Sequence, residues 1–444
     1  MNSTRLYIES LGCARNQVDS ETMAGQLRLA GWSMVQDPAR ADVIVVNTCS
    51  FVESAINESI DTILELARHK KLGRCRRLVV AGCLPERFRD AIVDALPEVD
   101  QFLGTGAFAR ITEAVAGKMP RGSCLLPDPD SIPMDPKTVR ERVQAHTAYL
   151  KIAEGCSRRC TYCIIPQLRG RQKSRPMEQI LEEARKLVAD GVRELNLVAQ
   201  DTTAYGRDLD AGGGFDTLLN RLAESADQSW IRFLYGHPES ITDRVIKAVA
   251  DHDNLCPYFD LPVQHAAANV LRKMNRHYDR EQMLDLFDRI RAAVPDAAIR
   301  TTLIVGFPGE TEADFQTLMD FVEQVRFDHL GVFTYSDAED LPSHRLPDHV
   351  PSKVAQMRYD ALMEKQMQIS ADNLTAMVGR TVPVLVENPC EPHLFEGRSM
   401  RQAPEVDGLT FVRTGPGGPD VVLGQPALVR ITDALEYDLI GAAL

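Results

Sequence analysis

The chain has 444 residues, of which 44 % are hydrophobic and 25 % are charged, the balance of a soluble globular protein with about three domains. This composition excludes a disordered chain, a collagen-like repeat and a small disulfide scaffold. The net charge of −13 means that a nucleic-acid partner would need a local basic patch. The sequence shows neither a secretory signal nor an apolar run long enough to span a bilayer, so we expect a cytoplasmic protein without a membrane partner.

The region 1–118 is predicted to be a parallel α/β sheet domain. Three short, continuously apolar runs are typical of strands that are buried on both faces, and they lie at 5–10, 43–48 and 77–82. Asp19 and Ser20 are candidate caps of the first intervening helix, and Gly31 lies just past its expected end. The second helix is expected to follow Ser50 and to run to about His69.

The region 119–141 is predicted to be a linker, because five prolines and the lack of an apolar period exclude a helix or a central strand. Strand and helix patterns then alternate over 142–372, which predicts an open (βα)6 partial TIM-like barrel. Its strand candidates lie at 149–155, 194–201, 230–236, 258–264, 298–306 and 329–336. Short strand patterns in 375–444 predict a small OB-like β-barrel, with strands at 381–387, 394–400, 409–414, 426–431 and 437–441.

Cys156, Cys160 and Cys163 form a C-x3-C-x2-C cluster directly after the first predicted barrel strand. Barrel enzymes carry their chemistry at the carboxyl ends of the strands. Three thiolates can hold an iron–sulfur cube and leave one iron open to a substrate or cofactor. The alternatives are a zinc site or unrelated free thiols. Structural zinc prefers four ligands, and the nearest histidine, His146, lies ten residues upstream.

Further strand ends are candidates for a cofactor cradle. Gln200 and Asp201 end the second barrel strand, and a GFPGET turn that contains Gly306, Gly309 and Glu310 ends the fifth. Glycines in such a turn let backbone N–H groups approach an anionic group at the start of a helix. A plain strand-to-helix turn has the same pattern, so the binding role depends on the position at the barrel rim.

A second set of three cysteines is Cys13, Cys49 and Cys83, which are 36 and 34 residues apart. The spacing alone indicates buried thiols. Each cysteine, however, follows one of the three predicted strands of the N-terminal sheet. Ligands of open α/β sheets bind outside the carboxyl ends of the strands, so these thiols are expected to converge on a second metal centre. The remaining cysteines show no such pattern and are assigned no role: Cys75, Cys124, Cys256 and Cys390.

The loop around Cys156, with Tyr162 just before its last cysteine, resembles the cluster loop of the radical S-adenosylmethionine superfamily. Over essentially the whole chain, motifs resemble those of the radical methylthiotransferase family in order and position. They are SLGCARNQVDSE, VIVVNTCSF, AGCLPER, YLKIAEGCSRRCTYCIIP and IVGFPGETEADF. That family combines an N-terminal α/β domain carrying three cysteines, a radical S-adenosylmethionine barrel and a C-terminal TRAM β-domain.

The resemblance implies two [4Fe-4S] clusters. One, which cleaves S-adenosylmethionine, would be held by Cys156, Cys160 and Cys163, and the auxiliary one, which presents sulfur, by Cys13, Cys49 and Cys83. S-adenosylmethionine would be both methyl donor and radical source, and an external electron donor and a sulfur source would be needed. The implied cofactor-binding residues are Tyr162, Gln200, Asp201, Gly306, Gly309 and Glu310.

The family divides between enzymes that modify a transfer-RNA adenosine beside the anticodon and enzymes that modify an aspartate of ribosomal protein twelve of the small subunit. From Ala376 onward the chain has five arginines, no lysine and nine acidic residues, a net charge of −4. Such a domain is poorly suited to phosphates and well suited to a basic ribosomal protein. Strings such as LGCARNQVDSE and FDLPVQHA also resemble the protein-modifying branch, so we expect β-methylthiolation of an aspartate.

Two alternatives stay open. A transfer-RNA substrate is favoured by a basic run around the cluster loop, although these cations could equally face a carboxylate or solvent. The run comprises Arg158, Arg159, Arg169, Arg171, Lys173 and Arg175. The other alternative is a non-catalytic iron–sulfur electron carrier or redox sensor, which would need neither the barrel nor its cofactor turn.

Overall fold

The N-terminal region forms a six-stranded parallel sheet, as its continuously apolar runs predict. The computed structural model describes residues 4–131, 139–210, 213–415 and 420–444. The strands are β1 (Arg5–Ser10), β2 (Ser33–Met34), β3 (Val43–Thr48), β4 (Arg77–Gly82), β5 (Gln101–Leu103) and β6 (Ser123–Leu125), in the order β2-β1-β3-β4-β5-β6. The helices are α1 (Ala14–Leu29), α2 (Glu53–Ala67), α3 (His69–Leu72), α4 (Cys83–Phe88), α5 (Ala91–Ala95) and α6 (Ile111–Ala116).

The prediction that Asp19 and Ser20 cap the first helix is wrong. That helix, α1, already begins at Ala14, so both residues lie in its interior. Their side chains are buried and bind tertiary partners instead of helix amides: Asp19 pairs with Lys151, and the Ser20 hydroxyl donates to that of Ser10. A polar residue near a helix start is therefore ambiguous between a cap and an interface contact.

The predicted linker over 119–141 contributes a short edge strand to the sheet. Strand β6 pairs in parallel with β5, so the sheet extends beyond the predicted boundary at residue 118. Its position at the edge agrees with the prolines of this region, which exclude only a central strand. Residues 132–138 of the predicted linker lie outside the described residues.

The central region is an open partial barrel of six βα units, as predicted. The principal strands are β7 (Thr147–Lys151), β10 (Glu194–Val198), β11 (Trp230–Phe233), β12 (Tyr258–Asp260), β13 (Ala298–Val305) and β14 (His329–Thr334), and a small hairpin of β8 (Ala153–Glu154) and β9 (Lys173–Ser174) follows the first. They form two three-stranded parallel sheets, β7-β10-β11 and β12-β13-β14, joined by a bridge between Ile231 and Leu255.

The short helix α7 (Ile165–Arg169) packs against α4 of the N-terminal domain. The other helices of this region cover the outside of the barrel. They are α8 (Met177–Ala189), α9 (Phe215–Ser225), α10 (Asp243–Asp251), α11 (Ala268–Lys273), α12 (Arg280–Ala293), α13 (Glu312–Val325) and α14 (Ser352–Thr375). Leu195 and Leu197 of β10 point outward into the apolar core under these helices, whereas Val198 points inward. Successive side chains of a strand point to opposite faces, so one face of β10 packs under the helices and the other faces the barrel interior.

The C-terminal region is a closed five-stranded barrel, which confirms the predicted small β-barrel. Its strands are β15 (Thr381–Glu391), β16 (Leu394–Ser399), β17 (Thr410–Arg413), β18 (Pro426–Ala434) and β19 (Leu439–Ala443), in the order β15-β16-β17-β19-β18. Closure leaves no free sheet edge. Within the described ranges, every helix is too short or too polar to cross a bilayer.

The two outer domains contact opposite ends of the central barrel. The C-terminal barrel docks where the strands begin: Arg398 pairs with Glu194, the first residue of β10. The N-terminal domain docks where the strands end, since Arg15 of α1 donates to the carbonyl of Ala199, just after β10. The carboxyl ends of the N-terminal sheet therefore face the carboxyl ends of the barrel strands.

Candidate metal centres

The three cysteines of the central barrel lie in one tight loop after β8. Gly155 precedes Cys156 with a φ of +77°, and a Cβ there would lie 2.1 Å from the carbonyl oxygen of Arg171. Only glycine fits this close backbone approach. The N–H of Cys156 donates to the carbonyl of Gly170 at 3.0 Å, and that of Cys163 to the carbonyl of Cys160 at 3.1 Å. These bonds bring the three thiols into one loop, as predicted.

Burial raises the pKa of the Cys156 thiol to about 11 and that of Cys163 to about 12. The negative charge of Cys160 raises both further, so the three sulfurs are close enough to interact electrostatically. Cysteine binds a metal as the thiolate, so a bound cation would stabilise the charged form of these buried thiols.

The second trio lies at the carboxyl ends of β1, β3 and β4. Gly12, with a φ of +91°, has room for no side chain, because a Cβ there would lie 2.6 Å from Cβ of Cys49 and 3.1 Å from its Sγ. This contact brings Cys13 against Cys49. Cys83 interacts electrostatically with both of the other thiols, and burial raises its pKa to about 11. The three strand ends thus place these cysteines near one another.

Two guanidinium groups donate to the thiols of this second trio. Arg15 Nε lies 3.4 Å from Cys13 Sγ, and Arg169 Nη2 lies 3.5 Å from Cys83 Sγ. Burial raises the pKa of Cys13, but the charge of Arg15 and its hydrogen bond outweigh burial, so this pKa lies below its ordinary value. Cationic donors on the sulfurs complement the negative charge of a thiolate-bound iron–sulfur cluster.

Neither trio is arranged to bind a single ion. Within the described ranges, no group of three or more histidine, cysteine, aspartate or glutamate side chains is placed to hold one metal ion. Four-coordinate zinc requires sulfurs gathered about 2.3 Å from one centre. The thiols that hold a cube bind different irons and lie farther apart.

A buried polar network connects the two trios. Arg169 of α7 places Nη1 at 2.6 Å from an Asp19 carboxylate oxygen, while its Nη2 contacts Cys83. Lys151 joins Asp19 to Glu154, two residues before Cys156, with 2.8 Å between Nζ and the Glu154 carboxylate. The network spans from the auxiliary thiols to the cluster loop, so the two trios share one interface between the domains.

Sequence patterns give little sign of this network. Asp19 has the pattern of a helix cap, and Arg169 belongs to a basic run without an assigned role. Lys151 and Glu154 lie within a strand motif and carry no signal of their own. The one available signal is that α7 directly follows the cluster loop, which places a cation from its last turn near both cysteine sites.

Gln200, Asp201 and Tyr162 lie near the ends of the barrel strands and of the loop that contains Cys156. Gln200 Nε2 donates to Glu154 at 2.5 Å, and its buried Oε1 has no hydrogen-bond partner among the described residues. Asp201 accepts from Arg158 Nε at 2.9 Å and from the N–H of a short helix at Ala204. The Tyr162 hydroxyl accepts from Arg276 Nη2 at 2.5 Å. Of these residues, Gln200 keeps a free acceptor.

The backbone amides of the GFPGET turn bind a carboxylate of the protein itself, that of Glu310. The N–H of Gly306 donates to the carboxylate of Glu310, and so does that of Phe307, at 3.1 Å. The same carboxylate lies 3.4 Å from Arg358 Nη1. A Cβ on Gly309 would collide with Lys273. The two amides expected to approach a cofactor group are thus already occupied, and this turn holds the shape of the rim.

The four remaining cysteines join neither trio within the described ranges. Cys75 is buried and its Sγ donates to the carbonyl of Arg77 at 3.1 Å; burial raises its pKa. Cys256 is also buried, Cys124 lies in β6 and Cys390 is exposed. Nothing in their surroundings contradicts the prediction that they carry no role.

Three family models match this chain in the order of its domains: the "Uncharacterized protein family UPF0004" over residues 5–104, the radical SAM superfamily over 150–322 and the TRAM domain over 378–444. The chain is 54 % identical over 443 residues to the ribosomal protein uS12 methylthiotransferase RimO of Desulfosudis oleivorans, an alignment that covers 99 % of this chain and 100 % of that protein. The protein of the same name from Geobacter sulfurreducens is 46 % identical, and the alignment covers 98 % of both chains. The one from Clostridioides difficile is 44 % identical, and the alignment covers 99 % of both chains.

Solved structures share the fold at low identity. The radical S-adenosylmethionine methyltransferase TsrM from Kitasatospora setae matches with a TM-score of 0.60 and 12 % identity, over 83 % of this chain and 89 % of that one. The cobalamin-dependent radical enzyme OxsB matches with a TM-score of 0.52 and 12 % identity, over 83 % and 56 %.

The fold and the cluster loop thus define a radical S-adenosylmethionine enzyme, with an iron–sulfur cluster and S-adenosylmethionine as cofactors. More narrowly, the chain belongs to the family of the methylthiotransferases RimO. The predicted fold class and the predicted family are both confirmed. Because the family consists of enzymes, the alternative of a non-catalytic electron carrier is rejected.

Proposed function

We propose that this enzyme adds a methylthio group to the β-carbon of an aspartate in ribosomal protein uS12. The observation that carries this proposal is the arrangement of two cysteine trios at one domain interface, joined by the network of Asp19, Lys151, Glu154 and Arg169. A reaction that both activates a carbon and delivers sulfur needs two such sites within reach of one substrate. The names of the full-length relatives support the substrate.

Two [4Fe-4S] clusters would be held by the two trios. Cys156, Cys160 and Cys163 would hold one, and Cys13, Cys49 and Cys83 the auxiliary one. When bound, the first cluster with S-adenosylmethionine supplies a radical that removes hydrogen from the β-carbon, and the auxiliary cluster supplies the methylated sulfur. S-adenosylmethionine would serve as both methyl donor and radical source, while an electron donor and a sulfur source come from outside.

The residues around the clusters position the cofactor and exclude water. Gln200 would offer its free Oε1 to a donor group of S-adenosylmethionine. Tyr162, held by Arg276, would close one side of the cluster loop. Asp201 would fix Arg158, and the turn from Gly306 through Gly309 to Glu310 would keep the rim in shape. A dry, fixed site protects a radical from side reactions.

Internal pairing of the basic run supports a protein substrate over RNA. Arg158 pairs with Asp201, Arg169 with Asp19 and Arg175 with Glu183. Cations neutralised inside the protein are not available to release counterions from phosphates. A transfer-RNA adenosine remains the second candidate on the strength of the exposed Arg159 and Arg171. A ribosomal substrate places the enzyme in the cytoplasm, with no need of a membrane.

The test is modification of a defined substrate by the anaerobically reconstituted full chain. Reduced enzyme and S-adenosylmethionine are incubated with purified uS12 and, separately, with an anticodon stem-loop, and both are analysed by mass spectrometry. We expect a methylthio group on uS12, located to an aspartate by fragmentation. Modification of the RNA alone would refute the proposal.

Two matched variants test the assignment of the trios. Replacement of Cys13, Cys49 and Cys83 by alanine should abolish methylthiolation but keep the release of 5′-deoxyadenosine. Replacement of Cys156, Cys160 and Cys163 should abolish both and leave the auxiliary iron in place. Equal loss of both products in the two variants would contradict the division of labour.

A further inference from the structure

Arg15 occupies a distinctive position between the auxiliary cysteines and the barrel rim. Its Nε donates to Cys13 Sγ at 3.4 Å, and its Nη1 donates to the Ala199 carbonyl at 3.1 Å. The guanidinium plane lies over the ring of Tyr235, 4.5 Å from the centroid. Arg15 is thereby fixed on three sides, at the place where the carboxyl end of β10 faces the auxiliary trio.

Unlike the other cations of this interface, Arg15 has no carboxylate partner. Arg169 pairs with Asp19, Arg158 with Asp201, and no carboxylate among the described residues lies within 4 Å of the Arg15 guanidinium. Its Nη2 makes no hydrogen bond to any described residue, and the side chain is only partly buried. A permanently charged donor is therefore held in place with one nitrogen still accessible.

The backbone beneath Arg15 is held in an unusual conformation. Tyr235 has a φ of +60°, which is rare for an aromatic residue, and its N–H donates to Asp260 at 2.7 Å. Such backbone strain concentrates at functional sites, where the surrounding structure over-determines it. Here it turns the Tyr235 ring toward α1, so that the ring supports the guanidinium.

We propose that Arg15 binds the side-chain carboxylate of the substrate aspartate during methylthiolation, and this inference rests on the function proposed above. The β-carbon that receives sulfur also carries that carboxylate. Sulfur delivered from the Cys13 site therefore brings the carboxylate beside the group that contacts Cys13. Burying a carboxylate without a partner is costly, and a guanidinium with a free nitrogen satisfies both its charge and its hydrogen bonds.

A carboxylate could also come from S-adenosylmethionine, so the test separates the two sources. Binding of fluorescently labelled uS12 to the reconstituted, unreduced full chain is measured by anisotropy, with the target aspartate intact or replaced by asparagine. We expect the aspartate form to bind about tenfold more tightly, as for a charge-assisted hydrogen bond. In Arg15→Gln this difference should vanish, and in Arg15→Lys part of it should remain.

Controls distinguish carboxylate recognition from support of the cluster. Iron content and the visible spectrum of Arg15→Gln are measured first, because Arg15 also donates to Cys13, and only protein that carries its full iron is compared with the unchanged enzyme. The S-adenosylmethionine affinity of that protein in equilibrium dialysis should be unaltered. Arg40→Gln, on an exposed arginine of the same domain, should leave the tenfold preference intact. If Arg15→Gln weakens S-adenosylmethionine binding but keeps the preference for aspartate, the proposal is overturned.

If the variants lose their clusters, binding of the aspartate and asparagine forms of uS12 to the unchanged enzyme still tests the proposal. Equal binding of the aspartate and asparagine forms, together with normal methylthiolation of uS12, overturns this inference and leaves the proposed function standing. Failure of uS12 to bind or react in any form overturns both. A preference for aspartate that persists in Arg15→Gln with intact clusters assigns recognition to another residue and refutes the role of Arg15.

Discussion

The two ends of the central barrel are both closed by buried ion pairs, yet they differ in how completely charges are matched. At the end where the strands begin, Glu194 accepts from Arg398 at 2.5 Å and from Arg232 at 3.0 Å. Arg398 also pairs with Glu387 inside the C-terminal barrel, so the contact between Arg398 and Glu194 joins that barrel to β10 within one shared network. Each of these two cations has a carboxylate partner.

At the end where the strands finish, the pairing is incomplete. Arg169 and Lys151 share Asp19 and Glu154, but Arg15 contacts a thiol, a carbonyl and an aromatic ring. A network in which each cation has a carboxylate partner fits an interface that only docks two domains, whereas a partly buried cation without such a partner fits a site that receives an anionic ligand.

The largest effect is expected from Arg169→Met, which removes the centre of the network beside the cysteines. Its loss would leave Lys151 as the one cation that pairs with both Asp19 and Glu154, and we expect the free energy of unfolding to fall by about 4 kcal/mol. Bound iron should also fall by half, because Cys83 loses its donor. Urea denaturation and iron analysis check both effects. The exposed Arg110→Met is the control, and a stability loss with full iron content would make Arg169 a docking residue only.

Arg398→Met breaks the network at the other end of the barrel. We expect a somewhat smaller loss, about 3 kcal/mol, because Arg232 still pairs with Glu194. Limited proteolysis should show earlier release of the C-terminal barrel, while iron content stays unchanged. Arg413→Met, an exposed residue of the same domain, should change the urea midpoint little. Loss of iron in Arg398→Met would show that the two ends are coupled.

Gly12→Ala tests the contact on which the auxiliary trio depends. The new Cβ would collide with Cys49, so we expect the protein to fold but to bind only half of the iron. Gly31→Ala is a matched control: its φ of +90° is similar, but no atom lies within 4 Å of the place that a Cβ would take. It should cost about 1 kcal/mol of strain and no iron. Full reconstitution of Gly12→Ala would refute the geometry of this trio.

The smallest effect concerns acid stability at the docking end. Burial opposes the charged form of Glu194, but Arg398 and Arg232 outweigh it and lower its pKa to about 2. Because the folded pKa lies below the unfolded value of about 4.3, its stabilisation is complete above that value and disappears as pH falls toward about 2. In Glu194→Gln, urea midpoints should therefore vary less over this range. An unchanged pH slope would contradict the ion pair.

Much of the fold follows from local patterns. Continuously apolar runs predict β1, β3 and β4, because strands of a parallel sheet are buried on both faces. The loop of Cys156, Cys160 and Cys163 follows from spacing alone, since eight residues contain all three cysteines. The convergence of Cys13, Cys49 and Cys83 needs one further step, which is to place each cysteine at the end of a predicted strand.

Other features could not be predicted because they depend on partners distant in sequence. Asp19 and Ser20 have the side chains of helix caps, but the packing of α1 pairs Asp19 with Lys151 of the barrel and places the Ser20 hydroxyl against Ser10 of the N-terminal sheet. The Gly306 amide is expected from sequence to meet a cofactor, but the backbone lets Glu310 fold back onto it. Local pattern cannot distinguish an internal anion from an external one.

The sequence by itself therefore determined the three-domain fold and its principal strands, because hydrophobic period acts over short stretches of chain. Only the tertiary structure decided how the two cysteine sets relate. It brought Arg15 to Ala199, 184 residues away, and Arg169 to Cys83, 86 residues away. Such contacts depend on how the domains dock. Whether an arginine at the interface has a carboxylate partner is therefore seen only in the docked structure.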